Sequence, residues 1–209
     1  METDKILKQD SGKNRRKQPD RYCIDGRTHQ LILAEYESGS TARVCMYQKE
    51  GDVWQRVLEC MGYVGKNGLG KTEEGDRKTP EGVFTLTGAF GIRENPGTKM
   101  PYVQVYSNLY LCGDREHYNR LIDITQYPHD CCGEHLIEYV PQYNYGMFLD
   151  YNRECVYGKG SAIFLHCTGE KDYTEGCIAV SESDMITILR YAEPGIQICI
   201  CRSGCFDLQ

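Results

Sequence analysis

The sequence predicts a mainly β domain of α+β type, a β-sandwich carrying one or two short helices. Two observations predict it. From Gln30 onward, short apolar stretches follow one another, each closed by Gly, Asn, Asp or Pro. Helical periodicity, by contrast, is confined to one clear segment near the C-terminus and one weaker candidate.

In chain order, residues 1–21 carry Lys5, Lys8, Lys13, Arg15, Arg16 and Lys17 with almost nothing apolar. Such a segment cannot repay the entropy of ordering, so a flexible basic tail is expected, with residues 22–209 forming one domain. Its removal is expected to leave stability unchanged. The opening has no apolar stretch of the kind an export signal needs, which leaves two expectations: a cytosolic chain, or one whose signal or anchor has been removed.

QLILAEY, ARVCMYQKEG, VWQRVLEC, GVFTLTGAFG, PYVQVY, YGMFLDYN, SAIFLHC, GCIAV and IQICICR then read as strands, because they alternate in polarity or are rich in β-branched and aromatic residues. In SAIFLHC the alternation puts Ala162, Phe164 and His166 on one face and Ile163, Leu165 and Cys167 on the other. The helix is SESDMITILRYAEPG. Ser181 can cap it, Asp184 stands at the acidic capping position, Met185, Ile188 and Leu189 share a face, and Pro194 and Gly195 stop it. A second short helix is expected near Cys132 to Tyr139. Trp54 reads as core or cleft wall, the acidic cluster Glu73, Glu74 and Asp76 as a solvated turn, Asp114 as a structural turn residue, and His117, His129 and His135 as cleft-lining or surface positions.

A formal charge of -6 and a pI near 5.4 give no field that attracts nucleic acid or an anionic membrane, so no nucleic-acid partner is expected, and a membrane only through a missing anchor. The twelve cysteines do not form a disulfide-scaffold pattern, since a chain of 209 residues has enough apolar material for a core without staples. Most are expected to be reduced, buried, small hydrophobes.

The chemistry concentrates in SAIFLHCTGEKDYTEGCIAVSESDM. A strand ends on His166, a polar loop from Thr168 to Gly176 follows, and Cys177 heads the next apolar run. Two strand ends joined by such a loop can lie side by side and bring thiol and imidazole within reach, the arrangement nucleophilic catalysis needs. The imidazole is expected to favour the reactive thiolate. Gly176 permits a turn closed to other residues and frees nearby amides to face an oxyanion.

His166 and the run Thr174-Glu175-Gly176-Cys177 resemble the histidine and Ser/Thr-x-Gly-Cys motif of the L,D-transpeptidase (YkuD-like) catalytic domain. Thr79, Pro80, Gly82 and Phe84 in GDRKTPEGVF resemble its TPxGxF strand entry, upstream as that family has it. Further matches are VGKNGLGKTEEGDRKTPEGVFTLTGAFG, Tyr118-Asn119, Gly133-Glu134, YGMFLDYN and GKGSAIFLHC, so the resemblance spans about Gln30 to Arg202. It implies an L,D-transpeptidase-like β-sandwich, Cys177 as nucleophile, His166 as base, backbone amides near Gly176 for the oxyanion, peptidoglycan stem peptides as partner and the cell envelope as location. It implies no metal or other cofactor. Glu175 and Ala179 stand where the family often has His and Arg, so any substrate carboxylate contact made by that Arg is missing or supplied elsewhere. A carboxypeptidase or other cysteine hydrolase on the same scaffold remains the alternative. Outside enzymes, a metal-binding or structural module would draw on His166, Cys167 and Cys177 or on Cys199, Cys201 and Cys205. Substrate-binding residues and oligomeric state are not fixed by these motifs.

Overall fold

The computed structural model describes residues 27–205, and the tail expectation for residues 1–21 lies outside them. Three long strands open the described chain: β1 (Gln30–Ser38), β2 (Thr41–Glu50) and β3 (Val53–Tyr63), paired as successive antiparallel hairpins. Alternation in β1 sends Ile32 and Ala34 into the central core and Leu31 and Leu33 into a second cluster on the opposite side. Half-buried Trp54 packs against that second cluster.

A long loop leads from β3 to β4 (Gly82–Gly91). The first half of β4 pairs with β12 (Gln197–Arg202), and its second half with β5 (Tyr102–Gln104) and β9 (Gly146–Leu149). β12 also lies parallel to β1. β10 (Phe164–Cys167) runs between β9 and β11 (Ile178–Val180), and β11 returns to β3. The sheet order β12-β1-β2-β3-β11-β10-β9-β4 is thus closed by the β4–β12 pairing, so the mainly β layers are joined through β4.

The helix α1 (Glu182–Tyr191) is capped as expected: Ser181 Oγ accepts the Asp184 N–H at 3.1 Å, and Met185, Ile188 and Leu189 are fully buried. The second expected helix is corrected. Glu134–His135 form a two-residue strand β8, and Leu136–Glu138 make a single 3-10 turn. The cause lies at Gly133, where a Cβ would stand 1.8 Å from the Leu111 carbonyl oxygen, so this segment is drawn against a neighbouring strand. β8 and β7 (Arg120–Asp123) flank β6 (Leu109–Cys112) in a small separate sheet that the apolar pattern did not reveal. Its strands are four residues or fewer, too short for alternation to stand out.

Candidate active site

β10 and β11 are parallel neighbours, with His166 beside Ala179. Phe164 and Cys177 lie one pleat back, and the Phe164 N–H donates to Cys177 Sγ at 3.3 Å. His166 and Cys177 therefore sit on one face of adjacent strands and line the same cavity of about 190 Å³. Leu165 and Cys167 face the central core, as the alternation of SAIFLHC requires. The strand itself begins only at Phe164. Ala162 has a left-handed φ of 55°, and its carbonyl accepts the Cys177 thiol at 3.0 Å. Asn119 Oδ1 fixes that turn by accepting the Ala162 N–H at 3.1 Å.

His166 Nδ1 lies 2.7 Å from the Cys167 carbonyl, which can only accept, so Nδ1 carries the proton and Nε2 is the basic nitrogen. Burial lowers its pKa to about 4, against that hydrogen bond. Tyr143 packs edge-on against the imidazole with ring centroids 5.5 Å apart. Burial, then the nearby Glu134 carboxylate, pushes the Cys177 thiol up to about 12, with the Phe164 N–H and the Lys71 ammonium opposing. The expectation of a standing thiolate is thereby corrected: in this site both groups are neutral at pH 7.

Two threonines hold the backbone of the cysteine. Thr79, fully buried at the strand entry singled out in the sequence, donates its hydroxyl to the Cys177 carbonyl at 3.1 Å and accepts the Gly65 N–H at 2.8 Å. Thr174 donates to the same carbonyl at 2.6 Å and accepts the Gly176 N–H at 3.2 Å. Gly176 has φ of 154° and a Cβ there would meet the Lys78 carbonyl oxygen at 3.1 Å and Ile163 at 3.2 Å, so glycine is required. Its N–H is occupied by Thr174 in this state.

The acidic cluster is a turn with Glu73 and Glu74 exposed, as expected, and the correction concerns Asp76, which is half-buried and bonded. Asp76 accepts N–H bonds from Thr72, Glu73 and Lys78 and pairs with buried Lys71 at 3.0 Å. Burial works against its charge, but those donors and the Lys71 ammonium outweigh it and hold the carboxyl near 2. Glu74, although exposed, accepts from the Tyr118 hydroxyl and from Ser161.

Cys177 stands between two lobes of one cleft. The first contains His166, Lys171, Tyr173 and Ala179. The second, of about 390 Å³, contains Lys71, Tyr118, Gly133 and Ala162. Glu134, Tyr139, Glu175 and Cys177 line both. Glu175 pairs with Arg77 at 2.8 Å. Glu134 accepts the Tyr143 hydroxyl at 2.5 Å, and burial raises its pKa to about 7. Its sequence signal was the Gly133-Glu134 match, to which no role was attached. His135 lies outside both lobes, stacked on Tyr110 and bonded to Glu138 and the Ser107 carbonyl. Cys199, Cys201 and Cys205 pack among Leu31 and Leu33.

No curated protein matches the chain at a significant level. Among solved structures, Bd1075 from Bdellovibrio bacteriovorus is 17% identical with a TM-score of 0.45, over 83% of this chain and 48% of that one. The helical cell shape determining protein Pgp2 from Campylobacter jejuni gives 15% and 0.44, over 82% and 46%. L,D-transpeptidase 1 from Mycobacterium tuberculosis gives 13% and 0.38, over 82% and 61%. The chain thus spans about half the length of the first two. A family model for the L,D-transpeptidase catalytic domain matches residues 31–200, the stretch that runs from β1 into β12 and contains the His166–Cys177 cleft. On that match the chain belongs to the YkuD family of L,D-transpeptidase catalytic domains.

Proposed function

We propose that the protein transfers acyl groups between peptidoglycan stem peptides through a thioester on Cys177. The observation that carries this reading is the Cys177 thiol and the His166 imidazole lining one cavity, with the proton of His166 held on Nδ1. His166 Nε2 takes the Cys177 proton as sulfur attacks the carbonyl between the third stem residue and D-alanine. The carbonyl π electrons move to oxygen, towards amides around Gly176 and Cys177; the Gly176 N–H must leave Thr174 to join them. When the oxyanion collapses, the C–N bond breaks and the imidazolium proton passes to the departing amine. An acceptor amine then attacks the thioester and loses its proton to His166. The C–S bond breaks and the thiol is restored.

Two lobes meeting at Cys177 favour transfer over hydrolysis, because donor and acceptor peptides can approach the sulfur from different sides. With a tetrapeptide stem, D-alanine release is expected from the native chain, none from Cys177→Ala, and at least a hundredfold less from His166→Ala, the scale of a lost general base. Adding an acceptor amine should convert the free acid product into a cross-linked one. A carbapenem should leave one adduct, on the peptide that contains Cys177. Undiminished turnover in Cys177→Ala would refute the mechanism, and free acid alone at saturating acceptor would make the protein a carboxypeptidase.

A further inference from the structure

A second cluster of chemically potent side chains lies at the end of the small sheet. Cys112 closes β6, Asp114 and His117 lie in the hairpin loop before β7, and His129 and Cys131 lie in the connection from β7 to β8. The ligand atoms of Cys112, His129 and Cys131 are within 4.8 Å of one another, and those of Asp114, His117 and His129 form an overlapping group. Cys112 Sγ is 3.3 Å from His129 Nε2 and 3.0 Å from Asp114 Oδ2, which is itself 3.2 Å from His129 Nε2.

A tetrahedral zinc ion with bonds of roughly 2.0–2.3 Å separates its ligands by about 3.3–3.8 Å, so Cys112, Asp114 and His129 need move only a few tenths of an ångström to accept one, and the half-buried loop residue Cys131, within 4.8 Å of Cys112 and His129, closes in to complete the four. The tautomer is already right. His129 Nδ1 lies 2.6 Å from the Tyr127 carbonyl and must donate to it, which leaves the Nε2 lone pair facing the cluster, the hydrogen bond that orients a zinc-binding imidazole. A further sign is His117, whose buried Nδ1 has no hydrogen-bond partner and lies 3.6 Å from Asp114 Oδ1. Buried nitrogens are seldom left so, and a metal at Asp114 would reorganise the carboxylate beside it.

We propose that Cys112, His129 and Cys131, with Asp114 as fourth ligand, form a structural zinc site. Four protein ligands leave no open position for substrate, which separates this site from catalysis. Its mechanical consequence is larger. Zinc would tie the 113–119 and 124–133 loops to the end of β6 and remove the entropy of holding them there. The second of these loops ends in Cys132 and Gly133 and leads into Glu134, all part of the cleft wall beside Cys177. The ion would therefore hold Glu134 in place without touching substrate.

The test uses the full chain, reduced, exposed to zinc sulfate and then dialysed. About one zinc per chain is expected, and cobalt(II) in its place should give thiolate-to-metal charge transfer and the strong visible bands of a tetrahedral site. The double variant H129Q/C131S changes two half-buried loop residues and should lose both signals with an unchanged circular dichroism spectrum. C132S and C177A should keep both, which separates this proposal from the mechanism at Cys177. A chelator should lower the melting temperature of the native chain and leave that of the double variant unmoved. Native chain that retains no zinc, or whose cobalt spectrum lacks thiolate charge transfer, overturns the proposal whether or not the variant folds. So does zinc retention undiminished in a folded H129Q/C131S.

Discussion

At the scale of single residues, the cleft is governed by burial. His166 and Cys177 each spend a hydrogen on a backbone carbonyl, of Cys167 and Ala162, and each is driven to its neutral form. The proton must move during the reaction rather than before it, which the sequence did not disclose because burial is a property of what packs over a motif. Glu134 is the titrating group that bears on this balance. Its raised carboxyl pKa means that the folded chain holds a proton there which the unfolded chain has released. The resulting stability is fully present below about pH 4.5 and is lost as pH rises through about 7. Glu134→Gln keeps an acceptor for Tyr143 and removes the charge. Its melting temperature should match the native value near pH 4.5 and exceed it near pH 8, by an amount on the order of 2 kcal/mol in stability. Iodoacetamide should also modify Cys177 several-fold faster in this variant near pH 8, because an ionised Glu134 disfavours the thiolate. A stability gap that instead widened toward acid pH would show that the carboxyl is not raised.

At the scale of elements, the strand entry at Thr79 and the cysteine turn are one device, although 98 positions separate Thr79 from Cys177. The sequence showed both pieces as motifs. It could not show that the hydroxyl of one supports the carbonyl of the other, since nothing local encodes that contact. Thr79→Val keeps the shape and deletes the hydroxyl, leaving the buried Gly65 N–H without its acceptor and Cys177 supported by Thr174 alone. A loss of about 1–3 kcal/mol is expected from the unsatisfied amide. Turnover should fall further than stability explains, because the sulfur's anchor shifts, and Thr79→Ser should restore both. Equal activity in the valine variant at a temperature where it is fully folded would separate the two motifs. The small sheet shows the opposite case. Each of its strands has four residues or fewer, and the segment read as a helix there became β8 and a single turn because Gly133 lets it press against Leu111.

At the scale of the molecule, the strands were legible and their closure was not, because the pairings that close the ring join residues more than a hundred positions apart. β12 is the closing element. It lies between β1 and β4, parallel to one and antiparallel to the other. Its alternation sends Ile198 and Ile200 into the central core and Cys199 and Cys201 into the second cluster. Removing residues 197–209 would expose the β1 edge from Leu31 to Tyr36 and the β4 edge from Gly82 to Thr85. Unpaired edges of this kind invite aggregation. Each buried isoleucine lost is worth roughly 1.5–3 kcal/mol, set against a total of about 5–15 kcal/mol for a typical domain, before any ladder hydrogen bond is counted. The freed half of β4 also begins only two residues after Pro80, so the cleft would lose its anchor at Thr79 together with the fold. The truncated chain is therefore expected to be insoluble, or soluble without a cooperative thermal transition, and to release no D-alanine from a tetrapeptide stem. A truncated chain that melts cooperatively and retains turnover would show that β12 only lies against a sheet already complete without it.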